Sequence, residues 1–476
     1  MQFSREIEAF IKDFVKDLEE NNVAIFAGAG MSKSSGYVDW PELLRDIANE
    51  LGLTVEKEHD LISLAQFHVN ERKSSAGLAK KILQEFSEQA EPSTTHEILA
   101  RLPIGTYWTT NYDSLIEDSL KKACKVADVK HSIGQLNTTR PKRDAVVYKM
   151  HGDATVANEA IIYKQQYERY YQTHAPFVTA LSGDLVAKTF LFIGFSFTDP
   201  NLDYVLSRLH VNQPMRHHYC FMRREQAVDG DDEEVVKYKL RKQELRVDDL
   251  KRFGIQTLLI DDYSDIPLIL EAIEVRFRKK TIFISGSAEE FGNWSRQDGQ
   301  AFVHALAAGL VREGFRVVNG FGWGIGSAVI NGALEAIYSS PDKFSEDQLV
   351  MRPFPQFASS PQDLQELWEQ YRQRMISLAG IAIFVFGNKL RDGAVVEANG
   401  VFREFEIAIE RGLIAIPVGA TGYASKEISE SILADPVAYY GDNKWVAPLV
   451  EELSNSQAPY AELVQKLIRL VRRLNS

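Results

Sequence analysis

The pattern of apolar and polar positions predicts an amphipathic helix followed by a buried strand at the start of this chain. Residues 4–20 have helical periodicity, because apolar side chains recur on one face at Ile7, Phe10, Ile11, Phe14, Val15 and Leu18. The next segment, NNVAIFAGAG, is continuously apolar until it reaches glycines. Such a run is typical of a strand buried in a parallel sheet and ending in a tight turn. We expect the helix to pack its apolar face on the same domain, with a subunit contact as the alternative.

The same strand-and-loop pattern occurs three more times in the first half of the chain. The segments are TYWTTNYD (106–113), VVYKMHGD (146–153) and TFLFIGFS (189–196), and each is a β-rich run that stops at a polar or glycine loop. Helical stretches such as 42–51 and 177–187 lie between them. Strands that alternate with helices predict a parallel, doubly wound sheet. Ligands of such sheets bind at the carboxyl ends of the strands, where all four loops would lie.

A second series of strands and helices follows the first. Residues 218–222 and 255–260 are predicted strands, and 265–280 is a predicted closing helix with a basic end. The second series has predicted strands at 281–287, 315–319, 381–386 and 413–418 and predicted helices at 326–338 and 400–411. The sequence therefore predicts an α/β protein with two Rossmann-like doubly wound parallel-sheet domains, residues 1–279 and 280–476.

Composition and charge limit the function classes. The chain has 476 residues, too many for one hydrophobic core, and its 45% hydrophobic and 25% charged residues are ordinary for a globular protein. A net charge of −12 argues against general nucleic-acid binding. Cys124 and Cys220 lack metal-ligand spacing, so we expect no metal site and no disulfide framework. The acidic amphipathic start is unlike a secretory signal and no apolar stretch suits a membrane span, so a cytoplasmic protein without membrane contact is expected.

The first glycine loop, Ala27 to Ser32, follows a strand and precedes a helix. Its glycines would let backbone N–H groups approach a pyrophosphate, although a glycine turn at this position is at least as often only structural. The loops GAGMS, TTNYD, KMHGD and GFSFTD, in this order, resemble those of the sirtuin family, which builds its NAD site from such segments. The resemblance covers about the first 275 residues.

The sirtuin resemblance implies roles for particular residues. It places Asn111 and His151 at the catalytic positions. It places NAD contacts at Ala27, Gly28, Gly30, Met31, Ser32 and Asp113, with the adenine-side ribose near Gly194 and Ser196. Asp113 matches the aspartate of the family that contacts nicotinamide, but an aspartate before an apolar helical run could equally cap that helix.

These residue types suit cleavage of the nicotinamide–ribose bond. The leaving group is a cation that departs neutral, so no general acid is needed, and the transition state resembles an oxocarbenium ion. An imidazole such as His151 can accept a proton near neutral pH, and the amide of Asn111 can both donate and accept hydrogen bonds. Protein-deacylating sirtuins usually carry a zinc module with two CxxC pairs, which this chain lacks. The absence favours NAD hydrolysis, with a protein deacylase or a non-catalytic nucleotide-binding module as alternatives.

The second half has its own glycine loop, GFGWGIGSAVINGA (320–333). Gly322, Gly324 and Gly326 stand between a predicted strand and helix, and Gly286 and Ser287 would lie on the same sheet edge. This arrangement predicts a second phosphate cradle. Trp323 could stack on a base, although a tryptophan beside a glycine turn is more often a packing residue.

This half resembles the SLOG group of nucleotide-sensing Rossmann-like domains. Related phosphoribohydrolases carry a PGGxGT loop before a catalytic glutamate, whereas this chain has GVFREFEIAIERG with Glu404 and no such loop. The resemblance therefore implies a sensor, in which Arg372 and Lys389 meet an anionic nucleotide and Glu404 accepts from ribose hydroxyls. Arg374 on the same helical segment is expected to be only solvated.

The order of a sirtuin-like domain followed by a SLOG domain, with the segments WEQYRQRM and REFEIA, resembles the effectors of Thoeris anti-phage defence. This resemblance implies that NAD+ is a substrate and that hydrolysis starts when a cyclic ADP-ribose isomer, made by a TIR-domain partner protein, binds the second domain. It also implies a homo-oligomer, a tetramer built through the sirtuin-like domains.

Overall fold

The computed structural model describes residues 3–86, 90–210, 216–227, 232–355 and 363–475. The chain divides into two compact units, Met1–Glu274 and Val275–Ser476. Each unit is a parallel sheet with helices, so the predicted fold class of two Rossmann-like α/β domains is confirmed. The exact domain boundary at 279/280 stays a prediction. No helix in the described ranges is long and apolar enough to cross a bilayer.

The first unit contains one sheet in the order β3-β4-β2-β1-β5-β6-β7, with all neighbours parallel. Its strands are β1 (Val23–Ala27), β2 (Thr106–Thr109), β3 (Ala127–Lys130), β4 (Ala145–Lys149), β5 (Thr189–Ile193), β6 (His218–Arg223) and β7 (Ile255–Ile260). Its helices are α1 (Arg5–Glu19), α2 (Ala29–Lys33), α3 (Trp40–Glu50), α4 (Leu61–Arg72), α5 (Ala76–Glu85), α6 (Thr94–Arg101), α7 (Leu115–Lys122), α8 (Ile133–Leu136), α9 (Lys164–Thr173), α10 (Ala175–Ala187), α11 (Pro200–His210), α12 (Glu233–Arg252) and α13 (Asp265–Lys279), the last of which contains the division between the units.

The strand order explains why the four predicted loops come together. The strands β4, β2, β1 and β5 are adjacent in the sheet, and all four end at the same edge. Along the chain, β2, β3 and β4 are added on one side of β1, and β5, β6 and β7 are then added on its other side. The gap between β1 and β5 is therefore the topological switch point, where open α/β sheets bind ligands.

The amphipathic helix at the start of the chain packs on this sheet as expected. Ser4 caps α1 by accepting a hydrogen bond of 3.3 Å from the N–H of Ile7. All six residues of the predicted apolar stripe are buried. Phe10 lies against Tyr219 and Phe221 of β6, with ring centroids 4.7 and 5.8 Å away.

The second unit has a parallel sheet in the order β10-β9-β8-β11-β14 and a separate antiparallel hairpin, β12-β13. Its strands are β8 (Thr281–Ser287), β9 (Arg316–Asn319), β10 (Leu349–Met351), β11 (Ile381–Phe386), β12 (Asn388–Arg391), β13 (Ala394–Glu397) and β14 (Ile414–Pro417). Its helices are α14 (Arg296–Arg312), α15 (Gly326–Ser339), α16 (Leu364–Ile376), α17 (Asn399–Glu410), α18 (Tyr423–Ala434), α19 (Pro436–Tyr440), α20 (Ala447–Glu452) and α21 (Tyr460–Leu474). The switch point of this sheet lies between β8 and β11.

Candidate functional site

The loops that follow β1 and β5 are in backbone contact at the switch point of the first sheet. The N–H of Gly28 donates to the carbonyl of Ile193, and the N–H of Gly30 donates to the carbonyl of Gly194, both at 2.9 Å. Gly194 has a positive φ of +64°, and a Cβ there would lie 2.1 Å from the nitrogen of Met31. Glycine is thus required at 194 for packing. The N–H of Met31 donates to the carbonyl of Gly28 at 3.0 Å, so at least three N–H groups of the predicted phosphate loop already have protein partners, and the phosphate contacts of this loop stay a prediction.

Side chains of the β2 loop hold the β1 loop from the other side. The amide nitrogen of Asn111 donates to the carbonyl of Gly28 at 3.0 Å and to the hydroxyl of Ser32 at 2.9 Å. The hydroxyl of Ser32 donates in turn to Asp113 at 2.7 Å. Because a carbonyl only accepts, the Asn111 amide nitrogen must face Gly28, and its Oδ1 is left buried without a partner among the described residues. This oxygen is the atom that Asn111 can offer to a ligand.

Asp113 has local partners that support part of its alternative role as a helix cap. Its Oδ1 accepts from the N–H of Leu115, the first residue of α7, at 3.1 Å. Burial raises the pKa of Asp113, while the hydrogen bond from Ser32 opposes the rise. A contact between Asp113 and nicotinamide stays a prediction.

Lys149, which sequence reasoning missed, joins the β4 loop to the β2 loop. Its ammonium group is fully buried and donates to the carbonyls of Tyr112 and Asp113 at 3.1 and 2.6 Å. It also pairs with Asp153 and, at 3.3 Å, with Glu117. Burial alone would lower the pKa of Lys149, but Glu117 and Asp153 raise it above its ordinary value. The lysine therefore stays charged. In the sequence, the spacing of four residues between Lys149 and Asp153 in KMHGD was the signal that could have indicated this ion pair.

His151 follows β4 and faces the β5 loop. Its ring is 1% exposed and lies edge-on to Tyr167, with centroids 5.3 Å apart. Its Nε2 is 3.3 Å from Oδ2 of Asp199 and 3.4 Å from the amide nitrogen of Asn201, whereas its Nδ1 has no partner in the described chain. Burial lowers the pKa of His151 and Asp199 opposes the shift, so the ring is neutral near pH 7. Asp199 is the last residue of the GFSFTD segment, but the sequence predicted neither Asp199 nor Asn201 as a site residue.

The remaining predicted NAD contacts lie around these groups. The carbonyl of Ala27 accepts from Thr109 at 3.0 Å. The exposed Ser196 shares a hydrogen bond of 2.7 Å with Thr198, and its carbonyl accepts from Arg246 of α12. Taken in order, the loops after β1, β2, β4 and β5 form a closed circuit of contacts, because each one contacts two of the others. Across the described ranges, no group of His, Cys, Asp and Glu is arranged to hold a metal ion.

The glycine loop of the second unit is packed as closely as that of the first. A Cβ on Gly322 would lie 1.9 Å from the carbonyl oxygen of Gly286, and one on Gly324 would lie 1.9 Å from that of Ala288. Gly326 begins α15, and its N–H donates to the carbonyl of Gly322 at 2.7 Å. The loops after β8 and β9 therefore share one sheet edge, as the sequence predicts, while their phosphate contacts stay a prediction.

Arg372 and Glu404 lie together beside the end of β8. Glu404 is buried and accepts from the hydroxyl of Ser285 at 2.6 Å, and its other oxygen is 3.7 Å from Nε of Arg372. Burial raises the pKa of Glu404, while Ser285 and Arg372 oppose the rise. The Nε of Arg372 is buried and has no hydrogen-bond partner within the described part of the chain. Arg374, by contrast, has an exposed side chain.

Lys389 lies on the β12-β13 hairpin, which the sequence did not predict. The hairpin turns at Asp392 and Gly393, which both have positive φ, as the Asp-Gly turns of two-residue hairpins require. Ser287 donates to the carbonyl of Asn388 at 2.9 Å and so holds the hairpin against the β8 loop. The half-buried Lys389 is thereby kept near Ser287.

Trp323 is 69% exposed and donates to Glu289, so it is not a core residue.

Comparisons with known proteins agree with this two-part architecture. A model described as "SIR2-like domain" matches residues 105–247, and one described as "Sir2- and TIR-associating SLOG family" matches residues 265–474. The chain is 46% identical to the NAD(+) hydrolase ThsA of Bacillus cereus (strain MSX-D12), over 100% of both chains. It is 48% identical to that of Acinetobacter baumannii (strain 532279), over 92% of both, and 44% identical to that of Cytobacillus dafuensis, over 98% and 97%. The chain therefore belongs to the ThsA family of NAD(+) hydrolases.

Proposed function

We propose that this chain hydrolyses NAD+ to nicotinamide and ADP-ribose at the carboxyl edge of its seven-stranded sheet. One observation carries the proposal. Asn111 Oδ1, His151 Nδ1 and Asn201 Oδ1 are buried and lack partners among the described residues. Buried polar atoms are nearly always hydrogen-bonded, so atoms left over at one sheet edge indicate a bound ligand or water.

The proposed chemistry uses the neutral imidazole of His151 and the amide of Asn111. His151 accepts a proton from a ribose hydroxyl or from water, and Asn111 Oδ1 holds the attacking water beside the ribose. The backbone of Ala27 to Ser32, with Asp113, holds the rest of the dinucleotide, and Gly194 and Ser196 lie near its adenine-side ribose. The protein supplies mainly geometry and a base, since nicotinamide leaves without protonation.

An assay with and without an acyl-lysine peptide separates this function from the alternatives. With a cyclic ADP-ribose isomer present, we expect purified protein to release nicotinamide from NAD+ without peptide. Release that strictly requires the peptide would identify a deacylase instead. No turnover under any ligand would leave a nucleotide-binding module.

We further propose that the second unit binds a cyclic ADP-ribose isomer, produced by a TIR-domain partner, and thereby starts NAD+ hydrolysis. Support comes from the Nε of Arg372, which is buried without a hydrogen-bond partner among the described residues, and from the glycine loop formed by Gly286, Gly322 and Gly324. Arg372 would bind the pyrophosphate, helped by Lys389, and Glu404 would accept from ribose hydroxyls. The missing PGGxGT loop favours a sensor over a second enzyme.

The sensor assignment predicts that Arg372→Ala and Glu404→Ala prevent ligand-triggered NAD+ cleavage at low ligand concentration. A charge-assisted, bidentate contact contributes about 1.5–3 kcal/mol, so the midpoint for activation should rise by about one to two decades. Switching a site from about 1% to 99% active needs about 5.5 kcal/mol of differential affinity, which is more than one such contact supplies. Titration of NAD+ hydrolysis with a cyclic ADP-ribose isomer measures the midpoint.

Arg374→Ala is the matched control for that titration, because Arg374 is on the same helix and is exposed. It should keep the wild-type midpoint. If Arg372→Ala and Glu404→Ala also keep it, this pocket is not the sensor. Binding of NAD+ at the first unit should be unchanged in all three variants.

The proposed biological role is depletion of NAD+ in anti-phage defence, by a cytoplasmic homotetramer joined through the sirtuin-like units. Support for the TIR link comes from the description of the matching SLOG family. Sedimentation of the purified protein tests the tetramer. Phage challenge of cells carrying the chain with and without a TIR-domain partner tests the defence role.

A further inference from the structure

The two carboxylate oxygens of Asp199 have different partners. Oδ1 accepts from the N–H groups of Asn201 and Leu202, both at 3.0 Å, in the first turn of α11. Oδ2 lies 3.3 Å from Nε2 of His151. The hydrogen bonds to the start of α11 therefore fix the orientation of the Asp199 carboxylate, and its second oxygen faces Nε2 of His151.

We propose that Asp199 is the positioning residue of His151: it holds the proton on Nε2 and leaves Nδ1 as the proton acceptor for NAD+ cleavage. This inference rests on the proposed function, because it assigns a partner to the histidine of that site. Nδ1 is the ring atom that has no partner within the described residues.

The hydrogen-bond chemistry selects this tautomer over the other one. An ionised carboxylate can only accept, so a protonated Nε2 turns its N–H towards the negative charge of Asp199 at 3.3 Å, which is an attractive contact. If the amide nitrogen of Asn201 donated to Nε2 instead, a lone pair on Nε2 would face the carboxylate at 3.3 Å. The proton would then be on Nδ1, a buried donor without an acceptor, which is the costlier arrangement.

Asp199 is also the charged group that acts on the His151 ring. Its carboxylate raises the pKa of His151 against the lowering effect of burial. The neighbouring Tyr112, Tyr167 and Tyr170 are kept neutral because burial raises the pKa of each phenol. Burial lowers the pKa of His174, which stacks on Tyr170, so this second imidazole is neutral near pH 7.

Asp199→Asn tests the inference, because asparagine retains an oxygen that can cap α11 but removes the charge. His151 accepts a proton only when it is neutral, so activity rises as the pH rises through its pKa. Without Asp199 that pKa falls, and the acid limb of the kcat profile should move to lower pH. The plateau of kcat should nevertheless drop about 10- to 100-fold, because the imidazolium formed in the reaction loses its counter-charge, while KM stays within about 3-fold.

Asp203→Asn, an exposed carboxylate on the same helix, is the control and should match the wild type. A folded Asp199→Asn enzyme with wild-type kcat and acid limb would overturn the inference. The inference would also be overturned if Asp199→Asn changed kcat and KM together without shifting the acid limb of the kcat profile, because that result indicates a structural role for Asp199. His151→Ala is measured in parallel: if it remains active, the proposed site itself is wrong, whereas an inactive His151→Ala beside a wild-type Asp199→Asn refutes only the role of Asp199.

Discussion

Replacing His151 or Asn111 with alanine should lower the rate of NAD+ cleavage at least ~100-fold while the chain keeps its fold. That factor is the low end for the loss of a positioned base. Among the residues that the structure describes, Nδ1 of the buried His151 has no partner, and neither has the carbonyl oxygen of Asn111 at the neighbouring strand end. Nicotinamide release at saturating NAD+ is the measurement, with circular dichroism and thermal melting as the check on folding.

Two further variants test whether a loss of activity comes from the loss of the base rather than from a cavity or from removal of any histidine in this unit. His151→Gln fills most of the space of the ring and keeps a hydrogen-bonding side chain, but it cannot act as a base near neutral pH. It should be as inactive as His151→Ala. His59→Ala removes an exposed imidazole from the same unit and should have no effect. NAD+ cleavage near the wild-type rate by Asn111→Ala or His151→Gln would refute the assignment of the site.

Lys149→Met should destabilise the first unit by about 3 kcal/mol. The substitution leaves Glu117 and Asp153 without the buried cation that they share, and breaking a buried ion pair from one side costs about 3–5 kcal/mol. The lower end applies because these carboxylates keep 16% and 12% of their side-chain surface exposed. Urea unfolding followed by fluorescence should show an earlier transition.

Lys121→Met provides the matched control, since Lys121 is an exposed lysine on α7. Its urea unfolding transition should have the same midpoint as that of the wild type. Adding Glu117→Gln to Lys149→Met removes one of the two uncompensated charges and should recover part of the lost stability. Coincident curves for Lys149→Met and the wild type would contradict the role of this buried charge.

The sequence predicted the central strands of both sheets because their apolar runs are long and buried on both faces. It missed one edge strand of each sheet, since β3 carries the polar residues Asp128 and Lys130 and β10 has only three residues, whereas it predicted the opposite edge strands β7 and β14. The hairpin carrying Lys389 was also missed, although its Asp392-Gly393 turn is a recognised hairpin signal. The missed strands and the hairpin are weakly marked in the sequence because few of their positions are buried, whereas most positions of β7 and β14 are.

The candidate site was predictable as a set of loops but not as a set of contacts. The order of the four loops identified Asn111 and His151. It did not reveal Asp199 or Lys149, because each has a partner far away in sequence: His151 is 48 residues before Asp199 and Glu117 is 32 before Lys149, so only the nearby Asp153 could have indicated Lys149. Nor could spacing show that Gly194 is needed to pack against Met31.

The closed circuit of loops has a consequence for protein engineering. Each loop is held by two others through hydrogen bonds or, between His151 and Asp199, through a charge contact, so the geometry around His151 is a property of the whole sheet edge. A GAGMS or KMHGD segment transplanted alone into another parallel sheet would lack the partners that orient its side chains. Transfer of this chemistry to a new scaffold would require all four segments, on adjacent strands and in the same spatial order.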